Sequence, residues 1–170
     1  PDLLVIPDYY EQVALITTQA REIGLKSTFI GPDGWDGVAK TLDSSAYEAI
    51  ENSYFTNHYS LDDQSEKVQN FVKAYRETYK DDPSSFAALS YDAAYMMKAA
   101  IEKAGTTDVA KVSDAIIGLE VPNLTGGTAK MLPNHHITKP VLIGEIQEDG
   151  QFETVSSTKE IAGDAWSDFL

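Results

Sequence analysis

Short apolar runs alternate with helix-like repeats over the first 60 residues of the chain. The opening run at residues 3–6 is unbroken, which is typical of a strand buried on both faces. Residues 11–23 carry apolar side chains at helical spacing, and Gly24 follows as a stop signal. The pattern then predicts a strand at 28–30, a weaker helix at 38–49 and a third strand at 53–56. Strands and helices joined by short connections are typical of parallel crossover units, so we expect an α/β fold.

The pattern changes after residue 60 to longer amphipathic repeats. Residues 65–79 place apolar side chains on one face, with Lys and Glu opposite, and predict a helix. Ser84 and Ser85 can cap a longer helix that ends near Gly105, and a shorter helix is expected at 108–117. From residue 119 turns and strands follow, and Glu148-Asp149-Gly150 is a hairpin signal. We therefore expect a C-terminal β-hairpin region.

Four segments follow from these changes of pattern. Residues 1–60 form an α/β segment, residues 61–118 are helical, residues 119–155 contain turns, strands and the hairpin, and residues 156–170 form a polar tail with a turn around Trp166. The chain opens with Pro1 and enters an apolar run at once, without an initiator Met or a signal peptide. We expect from this opening that the chain is a fragment or a trimmed form.

The charge balance excludes one class of partner. The chain has 27 acidic and 13 basic residues, which gives a formal net charge of -14. Such a surface repels phosphate backbones, so we expect no nucleic-acid partner. The charge says little about a small ligand, because the local charge of a pocket need not follow the net charge. The chain has no cysteine, which excludes disulfides, thiolate nucleophiles and cysteine-based metal sites.

Aromatic and polar residues follow each of the three predicted strands. The exits are Asp8-Tyr9-Tyr10, residues 31–36 and residues 56–59. Ligands of open parallel sheets bind beyond the carboxyl ends of the strands. Aromatic walls with a few fixed polar groups suit a small-molecule pocket. The sequence therefore predicts a binding site where these exits converge.

Asp33 is the sharpest candidate at these exits. Its carboxylate could accept charge-assisted hydrogen bonds from a ligand ammonium group. The alternative is an ordinary turn Asp that bonds its own backbone. Tyr9 and Tyr10 could form a ring wall and donate a hydroxyl group, or could pack over the next helix. Trp35 could bound the ligand side chain, or could pack on its own sheet.

Catalytic and metal sites have little support. His58 lies near two aspartates, but a lone histidine in such a loop is usually an ordinary loop residue. His135 and His136 are adjacent, so in a strand they would point to opposite faces and could not chelate one ion. No Gly-x-Ser-x-Gly elbow surrounds Ser90-Tyr91-Asp92. We expect no catalytic residue, no metal and no cofactor.

Several stretches together resemble a known family. They are residues 4–10 (LVIPDYY), 29–35 (FIGPDGW), 54–60 (YFTNHYS) and 86–95 (FAALSYDAAY), followed by 125–128 (TGGT) and 139–141 (KPV). In this order they resemble type I periplasmic solute-binding proteins of ABC importers, in the branched-chain amino-acid receptor family. The resemblance covers residues 1 to about 155, and we identify the chain with the C-terminal half of such a protein.

The resemblance implies a fold and a binding mode. Proteins of this family have two α/β lobes joined by hinge strands, and they bind a ligand without converting it. It implies that residues 1–60 and 119–155 belong to the second lobe, with a hinge return, and that residues 61–118 belong to the first. It also implies that Tyr9 and Asp33 contact the ligand, with Asp33 meeting its amino group, and that Tyr10, Trp35 and Phe55 are weaker candidates.

The resemblance also implies partners and a location. The ligand is an amino acid, and branched-chain amino acids are the first candidates. The further partners are membrane permease subunits of an ABC transporter and a missing first-lobe segment, which holds the α-carboxylate in this family. The location is the periplasm or extracytoplasmic face, either free or lipid-anchored. Self-association of the truncated chain is a further expectation, since truncation exposes apolar surface.

Two other classes of function remain open from the sequence. One is a ligand-sensing domain of a regulator or receptor with the same fold. The other is a hydrolase on a flavodoxin-like sheet that uses Asp33 and His58. The hydrolase needs a nucleophile or a metal set, and neither is apparent in the sequence.

Overall fold

A computed structural model of the chain describes residues 1–125 and 127–158. The described residues divide into two compact units: unit 1 comprises residues 1–57 and 142–157, and unit 2 is built from residues 58–141. The helices and strands in chain order are β1 (Leu3–Val5), α1 (Tyr10–Glu22), β2 (Thr28–Gly31), β3 (Tyr54–Asn57), α2 (Glu66–Tyr79), α3 (Ser85–Ala104), α4 (Val109–Ile116), β4 (Glu120–Asn123), β5 (Gly127–Met131), β6 (Ile137–Thr138), β7 (Val141–Ile146) and β8 (Phe152–Thr158).

Unit 1 is built on a mixed five-stranded sheet with the order β1-β2-β3-β7-β8. The first three strands are parallel, and β7 runs antiparallel to β3. One face of the sheet packs under α1 around a core that includes the fully buried Val13, Phe29, Trp35 and Ile50. The predicted α/β class with a parallel sheet, flanking helices and a C-terminal hairpin is confirmed. The hairpin adds the antiparallel strands to the sheet.

The prediction that residues 3–6 are buried on both faces is wrong for β1. Leu3 and Val5 are 47% and 59% exposed, because they point to the face of the sheet opposite to Leu4, which packs against the core. Val5, Ile30, Tyr54 and Glu145 are register neighbours on this second face. The hydroxyl of Tyr54 donates a hydrogen bond of 2.8 Å to Oε1 of Glu145, and this bond raises the pKa of Tyr54.

The helix expected at 38–49 is replaced by two 3-10 segments, Val38–Thr41 and Ser44–Ala49. Leu42 and Asp43 between them have extended backbone, which breaks the helical hydrogen-bond series. Gly37 precedes the first segment with φ 100, in the left-handed region that favours glycine. The apolar residues still reach the core, since Val38, Ala49 and Ile50 are buried.

Unit 2 contains the three helices α2, α3 and α4 and a small antiparallel sheet of the order β4-β5-β6. One cluster of buried residues joins α2 and α3 and includes Tyr59, Val72 and Ala88. A second joins α3 to the small sheet through Met96, Val121 and Ala129. The helices expected from sequence at 65–79 and near 85–104 lie close to the observed bounds of α2 and α3.

Asp92 is a buried acid on α3 that anchors the turn between β4 and β5. It is 5% exposed and accepts hydrogen bonds from the backbone N–H groups of Leu124 and Thr125, at 2.8 and 3.1 Å. The hydroxyl of Thr125 donates a third bond of 2.9 Å to Oδ2. Three donors therefore compensate the removal of this carboxylate from water.

The segment expected at 119–155 is divided between the two units. Residues up to Val141 belong to unit 2, because β4, β5 and β6 pair with one another, whereas the residues from Leu142 onward pair with β3 in unit 1. The expected tail at 156–170 begins inside β8, and the turn expected around Trp166 lies outside the described residues. Within the described residues, no helix is both long and apolar enough to cross a membrane.

Candidate functional site

The exits of β1 and β2 are held together by the side chain of Trp35. Its indole Nε1 donates a hydrogen bond of 2.9 Å to the carbonyl oxygen of Ile6, directly after β1. The backbone of Ile6 also donates to the carbonyl oxygen of Ile30, at 2.9 Å. Trp35 is fully buried, so this bond is shielded from water. The indole therefore fixes the loop after β2 against the loop after β1.

Gly34 brings the same two loops into close contact. A β-carbon at this position would lie 2.7 Å from the carbonyl oxygen of Asp8 and 3.3 Å from Cδ1 of Tyr9. Only a residue without a side chain fits here without displacing its neighbours. The structure therefore brings Tyr9 and the Asp33-Gly34 turn together, as expected from converging strand exits.

Asp33 opens a 3-10 turn at Asp33–Trp35, in which its carbonyl oxygen accepts a hydrogen bond of 3.1 Å from the N–H of Asp36. The residue is half-buried. Tyr9 stands immediately before α1, and its side chain is 62% exposed. Its backbone N–H donates to Oδ1 of Asp8 at 2.7 Å, and its carbonyl oxygen accepts from Val13 at 2.9 Å. The carboxylate of Asp33 can accept hydrogen bonds from a cationic group. The accessible ring of Tyr9 can cover an apolar group.

The other three aromatic candidates lie deeper in unit 1. Trp35 and Phe55 are 0% and 3% exposed, and their rings stack with centroids 6.3 Å apart. The structure places both in the core, which for Trp35 is the alternative that the sequence left open. A ligand at the accessible edge would therefore not touch either ring, and their contribution would be to support the loops. Tyr10 is half-buried, packs against the core, and lies 3.8 Å from the place of a β-carbon at Gly37.

The third strand exit contributes less to unit 1 than expected. Asn57, the last residue of β3, is 3% exposed, and residue 58 belongs to unit 2. Unit 1 by itself therefore presents the exits of β1 and β2, where Tyr9 is exposed and Asp33, like Asp8 and Asp36, is half-buried.

Two supporting residues were not identified from the sequence. Gly31 lies under the Trp35 indole, because a β-carbon there would be 1.9 Å from Nε1. The sequence suggests Asp92 only as the acid of a catalytic set, whereas in the structure it anchors a turn 32 residues further along the chain. The spacing of Gly31 and Gly34 around Pro32-Asp33 was the available signal for close packing of this loop. No local signal marks the partners of Asp92.

A metal site is not indicated in the described part of the chain. Residues 1–125 and 127–158 contain no group of three or more His, Asp or Glu side chains placed to hold an ion.

The first prediction concerns Gly34 and the spacing of the two loops. We expect Gly34→Ala to push the Asp33 turn away from Asp8 and Tyr9, at a cost of about 1–3 kcal/mol in unfolding free energy. Ligand affinity should fall by about tenfold or more, since the loops that carry the site are displaced. Chemical denaturation and calorimetric titration of the complete polypeptide measure both. Gly105→Ala, at a left-handed position with no atom within 4 Å, should lose stability through backbone strain but leave ligand affinity unchanged, so it is the control for affinity. Unchanged affinity in Gly34→Ala would contradict the proposed contact.

Comparisons with known proteins agree with the fold. A family model described as "Periplasmic binding protein" matches residues 1–151. A leucine-, isoleucine-, valine-, threonine- and alanine-binding protein of Pseudomonas aeruginosa is 29% identical over 108 residues, which are 64% of this chain and 28% of that protein. The crystal structure of a leucine-binding protein of Thermotoga maritima has a TM-score of 0.77 and 29% identity, and covers 96% of this chain and 45% of that one.

One similar protein bears the name of an enzyme. A limonene hydroxylase of Geobacillus stearothermophilus is 28% identical over 116 residues, which are 64% of this chain and 21% of that protein. The chain spans less than half the length of each of these relatives, at 28%, 21% and 45%. The family model, in contrast, covers nearly all of the described residues. The chain therefore belongs to the periplasmic binding protein family, as a type I protein.

Proposed function

We propose that this chain is part of an extracytoplasmic solute-binding protein that delivers an amino acid to an ABC transporter without converting it. Its first candidate ligands are branched-chain amino acids. The observation that carries the proposal is the close approach of the Asp33-Gly34 turn to the exposed Tyr9 at the joined exits of β1 and β2. The names of the relatives from Pseudomonas aeruginosa and Thermotoga maritima support this ligand class.

The carboxylate of Asp33 supplies the polar part of recognition. An amino acid carries an ammonium group, and a charge-assisted hydrogen bond to a carboxylate contributes about 1.5–3 kcal/mol net. The half-buried position of Asp33 reduces the competition from water. We infer that Asp33 meets the ammonium group and thereby fixes the orientation of the ligand.

The ring of Tyr9 supplies the apolar part. Its side chain is 62% exposed beside the Asp33 turn, so it is available to cover an aliphatic side chain. A binding pocket usually buries most of its ligand, so the ring of Tyr9 buries apolar surface only when the ligand is bound. Tyr10 packs behind this edge, and Trp35 and Phe55 support it from the core.

The remaining contacts to the ligand are proposed to come from parts of the protein outside these 170 residues. The α-carboxylate is expected to bind a first-lobe segment that these 170 residues do not include, and the loaded protein is expected to dock on permease subunits. The proposed location is the extracytoplasmic face, where such receptors meet their transporter. A free form and a lipid-anchored form are both compatible with this function.

The function is tested by a ligand panel on the complete polypeptide. We expect isothermal titration to detect leucine, isoleucine or valine at micromolar affinity or better, equivalent to about −8 kcal/mol. Mass spectrometry should recover the bound molecule unchanged after long incubation. Limonene with a reductant and oxygen forms the enzyme arm of the panel, since one relative is named a hydroxylase. Oxidised limonene, or the absence of binding by every amino acid, would overturn the proposal.

The second prediction concerns the 170-residue chain without further sequence. It covers 45% of the Thermotoga maritima leucine-binding protein, so we expect it to supply only part of the ligand contacts. Leucine should bind this chain far more weakly than micromolar, because the loss of one wall removes several kcal/mol of the total. The same titration on the 170-residue chain measures this. A clear micromolar isotherm would contradict it.

A further inference from the structure

A groove lies in unit 1 at the end of α1, away from the strand exits. It is lined by the last turn of α1, the connection to β2 and the 3-10 segment Ser44–Ala49. Its volume is about 550 Å³, within the range of roughly 300–1,000 Å³ typical of small-molecule sites. Leu25, Ala46 and Ala49 provide an apolar surface, and hydroxyl and charged groups surround it.

The groove is separate from the site at Tyr9 and Asp33. Helix α1 begins at Tyr10, next to the strand exits, and its 13 residues carry it to Glu22 at the groove. At a rise of about 1.5 Å per residue, Thr18 and Glu22 of the groove lie about 12 and about 18 Å from Tyr10 along the helix axis. A ligand in the groove therefore makes no contact with Asp33.

Arg21 is held in a fixed position at this groove. Its Nη1 donates to the carbonyl oxygens of Leu25 and Ser27, at 2.8 and 2.9 Å. The guanidinium carbon lies 4.0 Å from the ring centre of the fully buried Phe29. These contacts use one nitrogen and one face, and the described residues provide no acceptor for Nε or Nη2. Donors fixed in this way bind a carboxylate with little loss of side-chain entropy.

Charges of both signs surround the fixed guanidinium. Lys26 adds a second cation, and Glu22 and Glu48 add two carboxylates. All three residues are exposed, and none makes an ion pair within residues 1–125 and 127–158. The two positive and two negative side chains give the groove no net charge. This disfavours a simple anion as the ligand and favours a molecule that carries charges of both signs.

We propose that this groove is a second small-molecule site, which binds a zwitterion with separated charges. The carboxylate of the ligand binds Arg21 and Lys26, its ammonium group binds Glu22 and Glu48, and its aliphatic part covers Leu25 and Ala46. The proposal is independent of the function proposed for Asp33, because the two places share no residue.

The test is an NMR titration of the 170-residue chain with ε-aminocaproate, which carries a carboxylate and an ammonium group at opposite ends of an aliphatic chain. We expect saturable shifts of the amides of Arg21, Lys26 and Ala46. Caproate lacks the ammonium group and n-hexylamine lacks the carboxylate, so each should bind about tenfold more weakly or worse. Equal binding by the three probes would overturn the assignment of a zwitterion.

The variants avoid the structural bonds of Arg21. Lys26→Gln and Glu48→Gln change exposed side chains, so we expect both to fold and to weaken ε-aminocaproate severalfold. Lys111→Gln, on an exposed residue of unit 2, is the matched control and should leave the affinity unchanged. Shifts confined to Tyr9 and Asp33, or equal affinity in all three variants, would overturn the second site.

Discussion

Replacing Asp92 with Ala should lower the unfolding free energy of the chain by about 3 kcal/mol or more, the largest stability effect that we expect. The carboxylate accepts from the N–H groups of Leu124 and Thr125 and from the Thr125 hydroxyl, in a site where Asp92 is 5% exposed. Removal leaves two buried N–H groups without an acceptor, and each costs about 1–3 kcal/mol. Chemical denaturation followed by far-UV circular dichroism, which reports on the helices of unit 2, measures the loss.

A conservative pair of variants isolates this role. Asp92→Asn keeps the shape but replaces one acceptor oxygen with a donor, so it should also destabilise the chain, by about 1.5–3 kcal/mol. Asp108→Asn makes the same chemical change at the start of α4, where the Asp side chain accepts a hydrogen bond of 3.1 Å from the backbone N–H of Lys111. Asn caps helices as well as Asp, so this control should change stability by less than about 0.5 kcal/mol. Equal effects of the two variants would show that Asp92 is not an anchor.

Replacing Gly31 with Ala should destabilise unit 1 by about 3 kcal/mol, at the upper end of what overpacking costs. The added β-carbon would lie 1.9 Å from Nε1 and 2.2 Å from Cε2 of Trp35. The indole cannot move easily, because it bonds Ile6 and stacks on Phe55. Near-UV circular dichroism and chemical denaturation should show a displaced indole and a lower midpoint.

A double variant tests the cause of this effect. Trp35→Phe alone loses the bond to Ile6, but its smaller ring leaves space above Gly31. We expect the combined Gly31→Ala and Trp35→Phe variant to be less destabilised than the sum of the two. Strict additivity of the double variant would contradict the clash.

The pattern of apolar and polar residues was sufficient to predict the elements that depend on short stretches of sequence. The apolar runs before Asp8 and Gly31 and the helical repeat at 11–23 correspond to β1, β2 and α1 in nearly their observed bounds. The prediction of one helix at 38–49 was wrong, because the backbone at Leu42 and Asp43 is extended. Periodicity alone does not reveal such an interruption. The exposure of β1 was missed because an apolar run does not show whether a partner covers its second face.

The sequence was sufficient to predict that the exits of β1 and β2 meet, but not which of their side chains are buried. The rule that ligands bind beyond strand ends located Tyr9 and Asp33 at one edge. Whether Trp35 faces that edge or the core depends on the carbonyl of Ile6, 29 residues earlier, and on the space above Gly31. The role of Asp92 depends on Leu124 and Thr125, which lie 32 and 33 residues later. Such contacts are set by tertiary packing, so local sequence leaves them open.

The most direct measurement is the leucine affinity of Asp33→Asn in the complete polypeptide, by isothermal titration against the unaltered protein. The account predicts a loss of about tenfold to about a hundredfold, because a charge-assisted hydrogen bond to the ammonium group contributes about 1.5–3 kcal/mol. Asp36→Asn, in the same loop, should bind leucine as the unaltered protein does. Unchanged affinity in Asp33→Asn would contradict the central claim that this carboxylate recognises the ligand.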